Sequence, residues 1–251
     1  MASYIGEMTN KIYTAALLII GNEILSGRTQ DKNTSYIAEK LNERGVRLAE
    51  VRVVPDIEGR IIAALDALRV ENDYVFTTGG IGPTHDDITA GVVAKAFGVV
   101  LERNAEARQV LLNHYGSEAE LTEPRLKMSE IPAGAALIAN PVSGAPGFQI
   151  GNVYVMAGVP KIMQGMLDGI LPTLAGGAPV LSETVTCDCA ESIIAKALGE
   201  IQGRYPDIDI GSYPQFKEGK HSVNVVLRGV DAEVLARAAG EVRGLEFASS
   251  S

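Results

Sequence analysis

Apolar runs and helix-period segments alternate along most of this chain. Ala15–Ile20 is apolar without a break, which predicts a strand buried on both faces. Gly21-Asn22-Glu23-Ile24-Leu25 follows, then Ser26-Gly27-Arg28 and Asp31-Lys32-Asn33-Thr34, with a helix cap at Asp31 or Asn33. The helix runs to about Arg44 and is stopped by Gly45. Val51–Val54 predicts a second strand, and Asp56 is set to cap a helix with Ile57, Ile61, Ala64, Leu65 and Leu68 on one face. Tyr74–Thr77 predicts a third strand, and beyond a glycine turn Ile88, Val92, Val93, Ala96 and Phe97 recur at helical spacing. Asn104 caps a helix carrying Ala107, Leu111 and Tyr115, and Pro124 can open a short one in the polar stretch 117–130. Phe148–Ile150, Gly151-Asn152 and Val153–Met156 carry a hairpin signal with a two-residue turn. Pro160 then opens a helix with Met163, Met166, Leu167, Ile170 and Leu174 as its buried stripe.

This alternation predicts a mostly parallel sheet with helices on both faces, a three-layer α/β/α unit. Right-handed crossovers put the loops after the first and third strands at one edge, where ligands of open α/β sheets gather. Asn22, Glu23 and Asp86 are thereby expected to face one cleft. Ala175-Gly176-Gly177-Ala178-Pro179 is the clearest linker. After it, Val180–Cys187, Ala190–Ile201, Asp207–Ser212, Ser222–Leu227 and an Asp231-capped helix to about Val242 predict a small α+β unit in β-α-β-β-α order. The expected division is a tail over 1–13, with Met8 as an alternative start, an α/β domain over 14–176 and the small domain over 180–247. Ser212-Tyr213-Pro214, near Lys217 and Lys220, is expected in a structural hairpin loop, with ligand contacts as the alternative.

Charge narrows the partners. The 31 acidic residues against 22 basic ones give −9, which argues against nucleic acid or an anionic membrane surface. Cys187 and Cys189 are the two cysteines, one residue apart, and are expected as free thiols on one strand face. With neither a signal-peptide core nor an apolar run of spanning length, a soluble cytoplasmic protein is expected. His85, His114 and His221 are scattered, and neither a Ser-His-Asp order nor a Walker-type or dinucleotide glycine motif stands out.

The chemistry gathers at Thr77–Asp87, T-T-G-G-I-G-P-T-H-D-D. Gly79, Gly80 and Gly82 can take φ > 0 and let a backbone or ligand approach closely. Thr84 and Asp87 have capping-box spacing, and the open N–H groups of such a helix start favour a phosphate. Asp86 and Asp87 repel that phosphate unless a divalent cation bridges them to it. The plainer reading is a tight turn whose acids favour the positive end of the helix. Lys127 and Arg125 are the basic side chains best placed to reach a phosphate, although solvated surface charge is the preferred reading of each.

The same eleven letters resemble the signature of the molybdopterin-binding (molybdenum-cofactor biosynthesis) domain, in the form found at the N-terminus of CinA proteins. G-N-E-I-L is similar to that family's first motif. Asn140–Phe148, N-P-V-S-G-A-P-G-F, resembles its second signature, which helps line the ligand pocket. Ala157-Gly158-Val159-Pro160 resembles its third, P-G-V-P, with Ala157 in place of the first proline. The resemblance implies a MoaB/MogA-like fold and, by family association, divalent-metal-dependent hydrolysis of ADP-ribose or FAD with Mg²⁺ or Co²⁺. The amidohydrolase activity of longer CinA proteins is not carried over, because this chain stops before such a domain. Under that reading Asp86 and Asp87 are catalytic, and Asp86 and Glu23 hold the metal. Gly79, Gly80, Ile81, Gly82, Pro83 and Thr84 hold the diphosphate. Asn22, Asn33 and the loop Ser143, Gly144, Ala145, Pro146 and Gly147 orient the nucleoside end. The alternatives are a protein that binds molybdopterin or a nucleotide without turnover, adenylyl transfer to molybdopterin, and an assembly role. A homo-oligomer is implied by resemblance alone.

Overall fold

The computed structural model describes residues 11–217 and 220–245, so most of the expected tail, including Met8, lies outside the described residues. The chain divides into two compact units between Gly177 and Ala178. In chain order the first contains β1 (Tyr13–Ile20), α1 (Asn22–Leu25), α2 (Asn33–Glu43), β2 (Val46–Val54), α3 (Glu58–Glu71), β3 (Tyr74–Thr78) and α4 (Thr89–Ala96). It continues with β4 (Leu101–Arg103), α5 (Ala105–Tyr115), α6 (Glu123–Lys127), β5 (Glu130–Pro132), β6 (Ala136–Ile138), β7 (Gly147–Ile150), β8 (Val153–Met156) and α7 (Pro160–Ile170).

β1 explains the architecture. Its Ala15, Leu17 and Ile19 pack with Ile37 and Leu41 of α2 and Met163, Met166 and Leu167 of α7. Its Ala16, Leu18 and Ile20 pack with Ile61, Leu65 and Leu68 of α3 and Val92 and Val93 of α4. An unbroken apolar run is what a strand covered on both sides needs, and each large side chain so buried contributes about 1.5–3 kcal/mol. The six-stranded sheet runs β2-β1-β3-β8-β7-β6. The first four strands are parallel, and β7 is antiparallel to both its neighbours. This is the expected three-layer, mostly parallel fold, with the ends of β1 and β3 side by side. Among the described residues no helix is long and apolar enough to cross a membrane.

Three differences from expectation have physical causes. β2 begins at Val46, not Val51, because it is an edge strand whose outward positions carry Arg47 and other exposed residues that break the apolar run. β4, β5 and β6 are three residues each, too short for any period to show. Asp56 does not cap α3, where Ile57 holds the cap position without a side-chain bond. Its carboxylate instead accepts from the Asn22 N–H at 2.9 Å, tying the end of β2 to the turn after β1. Asn104 does cap α5, accepting from the Ala107 N–H at 2.9 Å, whereas Lys32 holds the cap position of α2 without a side-chain bond and Asp31, one residue earlier, accepts from the Asn33 N–H at 2.9 Å.

Asp73, at the start of β3, clamps the start of β1 by accepting from the Thr14 N–H at 2.9 Å and Lys11 Nζ at 2.7 Å. Partial burial opposes its charge, but the Lys11 and Thr14 bonds outweigh that and leave the carboxyl below its usual range. A lowered folded-state value means this clamp is complete above the ordinary aspartate range and is lost as pH falls through the folded value. Replacing Asp73 with Asn is therefore expected to lower stability at neutral pH and to flatten its acid dependence. Urea melts at neutral and acid pH check this, and equal losses for variant and wild type on acidification would contradict it.

The second unit contains β9 (Leu181–Cys187), α8 (Glu191–Arg204), β10 (Asp209–Lys217), β11 (Lys220–Gly229) and α9 (Ala232–Arg243). The strands form an antiparallel sheet in the order β10-β11-β9. Val185, Val223, Val225 and Leu227 meet Ile194, Ile201, Leu235 and Val242 in its core. Asp231 accepts from the Glu233 and Val234 N–H groups and caps α9. Cys187 and Cys189 are free and buried, and burial pushes both thiols up, away from the reactive thiolate. Ser212-Tyr213-Pro214 lies inside β10, not in a hairpin loop, with the Ser212 hydroxyl bonded to Glu191 at 2.5 Å.

Candidate functional site

The glycine turn leaves the carboxyl end of β3, beside the end of β1. Gly79 has φ 102° and Gly80 has φ 69°, so both need the freedom only glycine has. A Cβ on Gly79 would overlap the Ile20 carbonyl oxygen, and one on Gly80 would overlap Thr89 Oγ1. The close approach at these positions is therefore made by protein. Gly79 N–H donates to Met156 O at 3.2 Å, while Thr89 N–H and Oγ1 return to Gly80 O and Gly79 O, each at 3.0 Å. The turn is thus bolted to β1, β8 and α4. Gly82, contrary to expectation, is not in a positive-φ conformation. Its missing side chain leaves room for the Asp87 carboxylate, which a Cβ would meet at 2.7 Å.

The expected capping box also takes another form. Asp87 Oδ2 accepts from Thr84 N–H at 2.8 Å and from Thr84 Oγ1 at 2.5 Å, closing a loop ahead of a helix that starts only at Thr89. Two of the N–H groups expected to hold phosphate, those of Gly79 and Thr84, are therefore already bonded, and Pro83 has none. The backbone N–H groups of Gly80, Ile81 and Gly82 have no partner among the described residues. Three free N–H groups in succession on a glycine turn suit an anion.

Gly80, Ile81, Gly82 and Asp87 line a cavity of about 300 Å³. Its apolar wall includes Ile88, Leu101, Met128, Ile131 and Phe148, and its charged groups are Glu58, Lys95, Lys127 and Glu130. Pro146 reaches it from the proline-glycine loop. A second, smaller cavity of about 60 Å³ holds Glu23, Asn33 and Gly79, with Asp31, Thr78 and Gly158. Asn33 is only 6% exposed and donates from Nδ2 to Gly158 O at 2.9 Å, while its Oδ1 has no partner. The consecutive residues Gly79 and Gly80 separate the two spaces.

Other expected site residues lie elsewhere. Asn22 is exposed and lines neither cavity. Ser143 and Ala145 are held by the Asn140 side chain, which donates to Ser143 Oγ at 2.6 Å and Ala145 O at 2.8 Å. Gly144 packs on the His114 ring, and Gly147 on the carbonyl of Val155. Of that loop, only Pro146 meets the larger cavity. Arg125 is spent on Glu120 and on the Tyr115 ring. Lys127, read from sequence as surface charge, reaches the turn and donates to the Thr84 carbonyl.

The acids do not form a ready-made metal cage. Among the described residues no group of three or more His, Cys, Asp or Glu side chains is arranged to hold an ion. Glu23 borders the small cavity, Asp87 the larger one, and Asp86 neither. The Asp86 side chain is 67% exposed, with His85 Nδ1 at 4.0 Å. The Asp86 carboxyl lies below its usual range, with the nearby Thr84 hydroxyl and its own N–H as the main causes, although the hydroxyl's one proton is given to Asp87 Oδ2. This donor set fits Mg²⁺ bound through one or two carboxylates plus ligand phosphate and water, not a wholly protein-made site. Thr84 leaves Oδ1 of Asp87 unused.

The family described as a probable molybdopterin binding domain matches residues 16–176. The chain belongs to that family. The family described as the FAD synthase middle domain matches residues 179–246. A protein of Archaeoglobus fulgidus is 35% identical over 199 residues, covering 79% of this chain and 85% of the relative. A CinA-like protein of Citrifermentans bemidjiense is 36% identical over 246 residues, covering 91% of this chain but 57% of its own length. The crystal structure of CinA from Thermoplasma acidophilum, a protein of unknown function, overlays with a TM-score of 0.60 at 36% identity, covering 64% of this chain and 96% of that one. A molybdopterin-binding-type domain suits a small pterin or nucleotide ligand, and the two family matches together indicate nucleotide- or pterin-related chemistry.

Proposed function

We propose that the larger unit is a metal-dependent nucleotide pyrophosphatase of the ADP-ribose or FAD type, working at the glycine turn. The observation that carries this reading is the row of free N–H groups at Gly80, Ile81 and Gly82 on the wall of a cavity of about 300 Å³, within the usual size of a ligand pocket. These N–H groups hold the diphosphate. Ile88, Leu101, Met128 and Phe148 offer a planar ring an apolar wall. Thr84 fixes the Asp87 carboxylate in place, and Asp86 stays ionised beside it. A divalent cation at Asp87, when bound, lowers the pKa of its water and offsets charge that develops on the phosphoryl oxygens. The chain's own part is to seat the diphosphate, orient the carboxylate and shield one side of the ligand with apolar side chains.

A second reading, a protein that holds molybdopterin or a nucleotide without turnover, is favoured by the lack of a three-carboxylate cluster among the described residues. Thermal shift and product assays with ADP-ribose, FAD and molybdopterin, each with and without Mg²⁺ or Co²⁺, separate the two. AMP released only with metal supports the pyrophosphatase. Stabilisation without any product supports the carrier.

A further inference from the structure

We propose that Lys127 is the phosphate-binding cation of the larger cavity, and that its bond to the turn is one the ligand's phosphate takes over. This rests on the reading of the cavity as a diphosphate site and supplies its missing positive charge. The problem it answers is electrostatic. The cavity wall includes Glu58, Asp87 and Glu130, in a chain of net charge −9. Three backbone N–H groups alone face that field.

The cavity has two lysines, and they differ. Lys95 is neutralised by Glu58 at 2.5 Å. Lys127 donates to the carbonyl oxygen of Thr84, and among the described residues no carboxylate lies within ion-pairing distance of it. Arg125, two residues before it, is spent on Glu120 at 2.6 Å. Lys127 stands at the end of α6, half-buried, and crosses to a loop 43 residues earlier in the chain. An ammonium group is a strongly hydrated point charge, and a neutral carbonyl leaves that charge uncompensated. A charge so placed beside free N–H groups is what a phosphoryl oxygen seeks. The ligand class this selects is one with a phosphate or diphosphate directly at the turn, and Lys127 holds it whether or not a metal is present.

Titration calorimetry of ADP and of adenosine, in EDTA and in Mg²⁺, against wild type, Lys127→Met and Lys127→Arg tests this. The expected result is a loss of tenfold or more in ADP affinity for Lys127→Met in EDTA, with adenosine unchanged and most ADP affinity kept by Lys127→Arg. Circular dichroism melts of each variant establish that it is folded. ADP binding by Lys127→Met as tight as wild type overturns the lysine's role and leaves the pyrophosphatase reading standing. Equal losses for ADP and adenosine also overturn it, marking Lys127 as a staple for the Thr84 carbonyl only. A wild type that binds neither compound with or without Mg²⁺ removes the diphosphate site itself, and this proposal with it.

Discussion

Replacing Gly79 with alanine is expected to destabilise the larger unit by roughly 3 kcal/mol or more, among the largest effects of any single methyl group in this chain. Two costs add. A side chain at φ 102° is strained, and its Cβ would overlap the Ile20 carbonyl, a backbone atom that cannot swing aside. Ile20 ends β1, so relief has to come from moving β1 or β3. Equilibrium unfolding in denaturant measures this. A loss under about 1 kcal/mol would show that the turn yields easily and that the glycine is needed by a ligand instead of the fold. Gly82→Ala is the contrast: its φ is not positive, and the atoms nearest the new methyl belong to the Asp87 side chain and not to backbone.

Asp87→Asn is expected to lower metal-dependent hydrolysis on the order of a hundredfold while leaving the fold intact. Asparagine keeps an acceptor for the Thr84 N–H and hydroxyl, now donated to Asp87 at 2.8 and 2.5 Å, but it loses the charge that would hold a cation at the cavity wall. Asp86→Asn is expected to cost less, because that carboxylate borders neither cavity. Steady-state rates on ADP-ribose at saturating Mg²⁺ or Co²⁺ distinguish the two. If Asp86→Asn is the more damaging change, the metal sits outside the cavity and the assignment of Asp87 is wrong.

The sheet was legible because β1 and β3 are buried on both faces and write that burial as continuous apolar letters. The edge strand β2 was half legible, since one side faces outward and carries polar residues. The glycine turn could be found, but not which glycines serve the fold: nothing in T-T-G-G-I-G says that Ile20 O and Thr89 Oγ1 fill the space beside Gly79 and Gly80. Asp56 looked like a cap because it precedes a helix, yet its partner, Asn22, is 34 residues away and is set by the β1–β2 pairing. Lys127 and Arg125 both stood out as basic side chains able to reach a phosphate, but nothing local told them apart, because the Lys127 contact with Thr84 joins segments that no local pattern links. The Ser143–Gly147 loop misled in the other direction. Small residues made it look approachable, whereas Asn140, accepting from the Val142 and Ser143 N–H groups at 3.0 Å, folds it onto itself.

The central claim is that an anion sits on three particular amides. Nitrogen-15 NMR of the labelled protein, titrated with ADP-ribose in the presence of Mg²⁺, reads them directly. The account predicts that the Gly80, Ile81 and Gly82 amide signals move and saturate together, with smaller shifts at Gly79 and Thr84, whose N–H groups are already bonded. Saturable shifts elsewhere in the chain, with those three signals unmoved, would contradict it.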